Sequence, residues 1–282
     1  MSIAGRIGVQ NHLTLAFPMG SPADATTLAQ KLPLLMPDAF KALDVIGTVH
    51  YSRFVVLSEK TLLFLADYEG ALEKFFQDLA QHIGPVFDAI FEHVDNPPPS
   101  PVAGNAEAFV KWAIDHKLDP FAVYTAYENG TVQDIKSKAA AAGLTANSEQ
   151  LPFLVIMPIH SNFALAALEL VLKGAGSILI KGSDTIGTLH FAHFVPLEGH
   201  KLGFFTVYDG PFDKYIQDFA EKLGPVFDLL FKFVIHPPTT PCAKNCDEMI
   251  KWVAAHDLPP IGMYCAYPGL TVQDVNALLA GN

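Results

Sequence analysis

Apolar and polar positions alternate or recur at helical spacing along this chain, and they predict one succession of elements twice. His12-Leu13-Thr14-Leu15-Ala16-Phe17-Pro18 and Leu151-Pro152-Phe153-Leu154-Val155-Ile156-Met157-Pro158 are apolar runs closed by proline, the pattern of a buried strand ended by a breaker. Leu28, Leu32 and Leu35, and in the second half Phe163, Leu165, Leu168 and Leu172, then predict a helix. Thr48 to Leu57 and Thr61 to Ala66 flank Ser58-Glu59-Lys60, and Thr188 to Leu197 and Leu202 to Val207 flank Glu198-Gly199-His200; each pair reads as a hairpin. Leu72, Phe75, Phe76, Leu79 and Ile83 fall on one helical stripe, as do Phe212, Tyr215, Ile216, Phe219 and Leu223. Further helices follow, with Asn105 and Asn245 as expected N-caps and Glu248 as a capping-box partner. Phe121 to Tyr127 and Ile261 to Tyr267 complete each unit as a last strand.

The two successions match without a gap at an offset of 140, His50 returning as His190 and Tyr127 as Tyr267. Ile46-Gly47-Thr48-Val49-His50-Tyr51 returns as Ile186-Gly187-Thr188-Leu189-His190-Phe191, and Gly84-Pro85-Val86-Phe87-Asp88 as Gly224-Pro225-Val226-Phe227-Asp228. A unit this long is a domain and not a solenoid repeat. We therefore expect domains over residues 1–145 and 146–282. Strand, helix, strand, strand, helices, strand is the ferredoxin-like βαββαβ pattern, of class α+β. Helices cover one face of such a sheet, and two units in one chain can cover each other's second face as a pseudo-dimeric α/β barrel.

Composition agrees with a large buried interior, since 50% of residues are hydrophobic and 17% charged, with a mean hydropathy of +0.27. A central cavity between the sheets is the expected place for part of that surplus, and an apolar small molecule its expected occupant. No apolar run reaches the roughly 18 to 20 residues of a spanning helix, and Met1 to Arg6 lacks an apolar signal core, so a cytoplasmic protein is expected. A net charge of −11 repels phosphate backbones and speaks against nucleic acid as a partner. Cys242, Cys246 and Cys265 all lie in the second half, which excludes a disulfide framework common to both.

Thr48-Val49-His50-Tyr51-Ser52-Arg53-Phe54-Val55-Val56-Leu57, Tyr68-Glu69-Gly70 and Tyr264-Cys265-Ala266-Tyr267-Pro268-Gly269-Leu270-Thr271-Val272 together resemble a poorly characterised group of bacterial tandem ferredoxin-like proteins. More widely, the topology resembles the dimeric α/β-barrel superfamily of dye-decolorising peroxidases, chlorite dismutases and small monooxygenases. That resemblance implies redox chemistry on a bulky apolar or aromatic molecule, with haem as the implied cofactor of a peroxidase-like enzyme. A cofactor-free monooxygenase is the second enzymatic alternative. A non-catalytic binding or assembly module, with a protein or peripheral membrane partner, is the third reading. Tyr208-Asp209-Gly210 resembles the Gly-x-x-Asp-Gly signature of the peroxidases, but position 206 is a threonine. A helix dipole explains an acid there equally well.

His50 and His190 are the expected catalytic residues, as haem ligand, general base or substrate partner; the alternative is a pair of hydrogen-bonded residues fixing the domain interface. By strand alternation Thr48, His50, Ser52 and Phe54 share one face and Val49, Tyr51, Arg53, Val55 and Leu57 the other. The second face is the more apolar and is expected against the helices, turning His50 and Ser52 inward. Phe54, Phe194, Tyr124, Tyr264, Tyr127 and Tyr267 would wall the cavity. Arg53 pairs a carboxylate there, a haem propionate included, or reaches solvent from a strand edge. His190 and His193, three apart, should face opposite ways. His236, Cys242 and Cys246 lack an evident fourth zinc ligand, and no metal site is expected. Symmetry between the copies breaks at Ser52/Ala192, Arg53/His193, Asp67/Val207 and Thr125/Cys265, as one active site in a twofold frame requires.

Overall fold

A computed structural model describes residues 4–6, 8–144 and 148–281. The first half comprises β1 (Ala4–Gly5), β2 (Gln10–Pro18), α1 (Pro22–Ile46), β3 (Val49–Ser58), β4 (Thr61–Glu69), α2 (Leu72–Phe91), α3 (Ala106–His116), β5 (Ala122–Thr125) and α4 (Val132–Ala142). The second comprises β6 (Gln150–Pro158), α5 (Asn162–Gly174), α6 (Gly176–Ile186), β7 (Leu189–Leu197), β8 (Lys201–Asp209), α7 (Phe212–Lys222), α8 (Gly224–Phe231), α9 (Cys246–His256), β9 (Ile261–Cys265) and α10 (Val272–Ala280). The expected domain boundary at 145/146 lies outside the described residues.

Local chemistry sets the element ends. Ser21 caps α1 through the Asp24 N–H, Pro22 occupies its first turn, and Gly47 closes it at φ 69°, a left-handed cap that costs glycine little. The copy divides that helix at Ala175 into α5 and α6, joined at a 68° bend. No single described helix is long and apolar enough to cross a membrane. Two expectations need correction. Asn105 and Asn245 stand at helix starts, but their side chains donate back to Pro101 and Pro241 carbonyls instead of capping. The units also do not end on a strand: α4 and α10 follow, each capped by a threonine, Thr131 and Thr271. Their starts, Thr131-Val132-Gln133-Asp134 and its repeat, are among the segments shared by the copies.

The class is α+β, with two ferredoxin-like units packed as an intrachain pseudo-dimeric α/β barrel, and their last strands are exchanged. One sheet runs β2-β4-β3-β9 and the other β1-β5-β7-β8-β6. Strand β9 of the second half pairs antiparallel with β3 of the first, and β5 of the first pairs with β7 of the second. Neither sheet can be completed by its own half. The crossovers also stitch the seams, because Leu118 N–H donates to Thr14 O on the edge of β2 and Leu258 N–H to Leu154 O on the edge of β6.

Helices α1 to α3 cover the outer face of the first sheet over Leu13, Leu15, Phe17, Phe64 and Phe87; α5 to α9 cover the second over Phe153, Phe204, Phe219 and Phe227. Between the sheets lies a third cluster, Val55, Leu63, Leu65, Leu154, Val195, Leu197 and Phe205. Each such side chain contributes about 1.5–3 kcal/mol by burial, so the inner faces are a core in their own right. That overturns the face assignment for β3. Tyr51, Arg53 and Val55 pair with Asp67, Leu65 and Leu63 on the inner face, while Ser52 and Phe54 pair with Ala66 and Phe64 toward the helices. Both faces are apolar, and a bulge between Val49 and Tyr51 resets the alternation.

Candidate functional site

A chain of polar side chains crosses the pseudo-twofold axis at one end of the barrel. Bulges place His50 and His190 there, each ring wholly buried. His50 Nδ1 lies 2.8 Å from Tyr267 Oη, Tyr267 Oη 2.7 Å from Tyr127 Oη, Tyr127 Oη 3.0 Å from His190 Nδ1, and His190 Nε2 2.8 Å from Asp209 Oδ1. Burial pushes the Tyr127 and Tyr267 hydroxyls well above the ordinary tyrosine range, so both keep their protons. Each of the two hydroxyls therefore donates one hydrogen along the relay, to the other hydroxyl or to a histidine nitrogen. At the other end His50 Nε2 faces Glu69 Oε1 at 3.2 Å without a hydrogen bond of good geometry. Glu69 and Asp209 also accept from Val132 N–H and Val272 N–H, tying the relay to the starts of α4 and α10.

Both histidines are thus engaged in holding the halves together. The space between them is filled by Tyr51, Phe191, Tyr127 and Tyr267 in ring-to-ring contact. Haem does not fit this arrangement: His190 has no free nitrogen for iron, His50 Nε2 looks at a carboxylate, and the aromatic rings occupy the volume between them. The other expected cavity walls separate into two groups. Tyr127 and Tyr267 face inward. Phe54 and Phe194 pack under the helices, and Tyr124 and Tyr264 donate to Asp184 and Asp44 on α6 and α1. The central hollow expected between the sheets is replaced by packed side chains.

A second polar cluster occupies the middle of the barrel, and the two halves contribute to it unequally. His12 on β2 and Asp67 on β4 are cross-strand partners, with His12 Nδ1 2.6 Å from Asp67 Oδ1. His193 on β7 enters from the opposite sheet, its ring 5.2 Å from that of His12 and its Nε2 3.4 Å from Thr14 Oγ1. Arg53, expected at a strand edge, is 2% exposed, because β9 covers that side of β3, and its Nη2 donates to Thr206 O. Its Nε and Nη1, and Nδ1 of His193, are buried without a hydrogen-bond partner. Counterparts in the other half are Pro152 for His12, Leu154 for Thr14 and Val207 for Asp67, all apolar. The bulge that turns His190 inward also puts His193 on the inner face, so the two point into neighbouring clusters and not to opposite sides of the sheet.

Burial alone raises the Asp67 carboxyl, but the His12 hydrogen bond, with the nearby Arg53 guanidinium, holds it below the usual carboxylate range. Burial drives His193 well below the ordinary histidine value, with His12 and Arg53 adding to it. Asp67 is therefore ionised and His193 neutral near pH 7. Burial also lowers Arg53, against which Asp67 acts.

His12, its side chain 3% exposed, stands between this cluster and the surface. It lines a cleft of about 230 Å³ at the β2 seam with Leu13, Leu72, Leu118 and Val123, and with Lys117 and Asp119 as its charged residues. Spaces under the helices beside Phe204 measure only about 20 Å³, room for a water at most. His12 and Thr14 were not singled out by the sequence reading. The signal that marks them is a polar residue in one copy facing an apolar residue in the other. Among the described residues, His12, Asp67 and His193 are the group of potential metal ligands brought together. His236, Cys242 and Cys246 form no such group, Cys242 being buried at the foot of α9 with its N–H on Asp228.

No family model matches the sequence, and no curated protein matches it. Among solved structures, the chain is similar to a candidate monooxygenase of Fusobacterium nucleatum (10% identity, TM-score 0.44, covering 94% of this chain and 97% of that one). An anthrone oxidase-like protein matches at 10% identity and TM-score 0.32, over 95% and 98% of the two chains. A candidate monooxygenase of Lactobacillus acidophilus matches at 9% identity and TM-score 0.31, over 92% and 97%. The assignment of fold rests on the chain's own strand order and pairing.

Proposed function

We propose that this chain binds one small, largely apolar molecule, of the size of a single aromatic ring, in the cleft at the β2 seam, which His12, held by Asp67, borders. The observation that carries this reading is the broken symmetry. Three inward positions are polar in one copy and apolar in the other, and Arg53 and His193 in the same cluster keep buried nitrogens without partners, an arrangement costly to folding and common at functional sites. A histidine held by a carboxylate can take a proton from a phenol or an acidic carbon. Oxygen-dependent oxidation of a phenol is the reaction class to test first, as oxygen uptake. In this reading His50, His190, Tyr127 and Tyr267 are the frame and not the reacting groups, Asp67 holds His12 in place, and the setting is the cytoplasm, in keeping with three free cysteines. Haem has no part in it.

Phenol is the probe for the test. Calorimetric titration should show one phenol per chain, abolished by Leu118→Trp, which fills the cleft, and weakened by His12→Ala. Phenol binding unchanged in Leu118→Trp, or two sites per chain, contradicts the reading. One observation favours a second reading, an assembly or membrane-surface module: Phe163, Leu170 and Ile178 on α5 and α6 are 85%, 73% and 57% exposed. Flotation with liposomes and light scattering test it, and a monomer that ignores lipid leaves it without support.

A further inference from the structure

We infer that His12, Asp67 and His193 form a binding site for one divalent first-row transition metal ion, with the cleft supplying its remaining coordination positions. The inference deepens the reading above and rests on the same cluster. Two imidazoles and one carboxylate are the donor set of facial metal sites that keep open positions, and divalent iron, cobalt and zinc all accept it. The donors sit on β2, β4 and β7, three strands of two sheets, so the barrel and not a single flexible loop fixes them. Their ligand atoms lie within 4.8 Å of one another. An equilateral triangle at that limit has its centre about 2.8 Å from each atom, roughly 0.7 Å beyond a metal–ligand bond of about 2.1 Å, a shift within side-chain freedom.

Two further observations point to a ligand. Nδ1 of His193 is buried with no partner, a costly state that a structural histidine avoids. The donors are also absent from the other half, where Pro152, Arg53 and Val207 stand in their places, so the set is no consequence of the duplicated fold. The charge of the buried Arg53 guanidinium acts on Asp67, and it competes with a metal for that carboxylate. Its removal should therefore tighten binding.

The test is a cobalt(II) titration of the full chain, stripped with chelator and followed by visible d–d absorption. One cobalt per chain is expected. His193→Phe and Asp67→Asn should each weaken binding by on the order of a hundredfold, and Arg53→Met should strengthen it by on the order of tenfold. Circular dichroism identifies any variant that fails to fold, and Arg53→Met gives a gain that misfolding cannot mimic. Binding in wild type no tighter than in His193→Phe, together with no gain in Arg53→Met, overturns the inference. Leu118→Trp separates the two proposals: it should lose phenol and keep cobalt. Phenol binding that persists in wild type without cobalt binding removes the metal alone. Cobalt binding without phenol removes the cleft reading alone.

Discussion

Arg53 shows how much one residue can reveal when its copy is compared with it. It is nearly fully buried with two nitrogens unpaired, and its counterpart is His193. A buried cation so poorly satisfied does little for stability, so Arg53→Met should leave the unfolding free energy unchanged or raise it by about 1–2 kcal/mol. Arg53→Ala should lower it, because a cavity remains. Urea denaturation of both variants checks the pair. The relay behaves oppositely. Tyr127→Phe and Tyr267→Phe each strand a histidine or a hydroxyl and should cost about 1–3 kcal/mol, and the double variant should cost less than the sum, since the two hydroxyls bond each other. Asymmetric polar positions were legible in the sequence at Arg53 and Asp67. The inward turn of His50 was expected, but that of Tyr51, Arg53 and His193 was not, because it depends on bulges that leave no trace in the hydrophobic pattern.

Strand and helix identities followed from periodicity, but the partner of each last strand did not. The run Ala122 to Thr125 reads as a buried strand in either sheet; only the geometry of the crossover from α3 decides that it joins β7. Packing within the inner core also swaps sizes between copies. Leu63 and Leu65 on β4 become Gly203 and Phe205 on β8, and a Cβ at Gly203 would stand 2.4 Å from the Phe205 ring. Gly203→Leu should therefore destabilise by about 1–3 kcal/mol, and Gly203→Leu with Phe205→Leu, which restores the first half's pair, should recover most of it. At the start of α1 the Asp24 carboxyl is held below its usual range, first by the Ser21 hydroxyl and then by His93. A carboxyl whose folded value is depressed stabilises above the unfolded value near 3.9 and loses that contribution as pH falls through the folded one. Asp24→Asn should thus melt below wild type at neutral pH, with the gap closing at acid pH below about 4.

The whole molecule is a twofold frame with a one-sided interior. Exchange of β5 and β9 means that neither half owns a complete sheet, so residues 8–144 expressed alone should not persist as a stable monomer but pair through β5 as a homodimer, seen by analytical ultracentrifugation. The duplication, and with it the barrel, was legible from the matched registers. The filling of its interior was not, because an apolar surplus predicts burial without saying whether side chains or a ligand accomplish it. The account stands most directly on the claim that only one side of the interior is functional. Histidine side-chain nitrogen NMR during a phenol titration tests that claim. The account predicts that His12 and His193 move together and saturate at one phenol per chain while His50 and His190 stay in place. Movement of His50 and His190 in concert, or saturation at two phenols per chain, contradicts it.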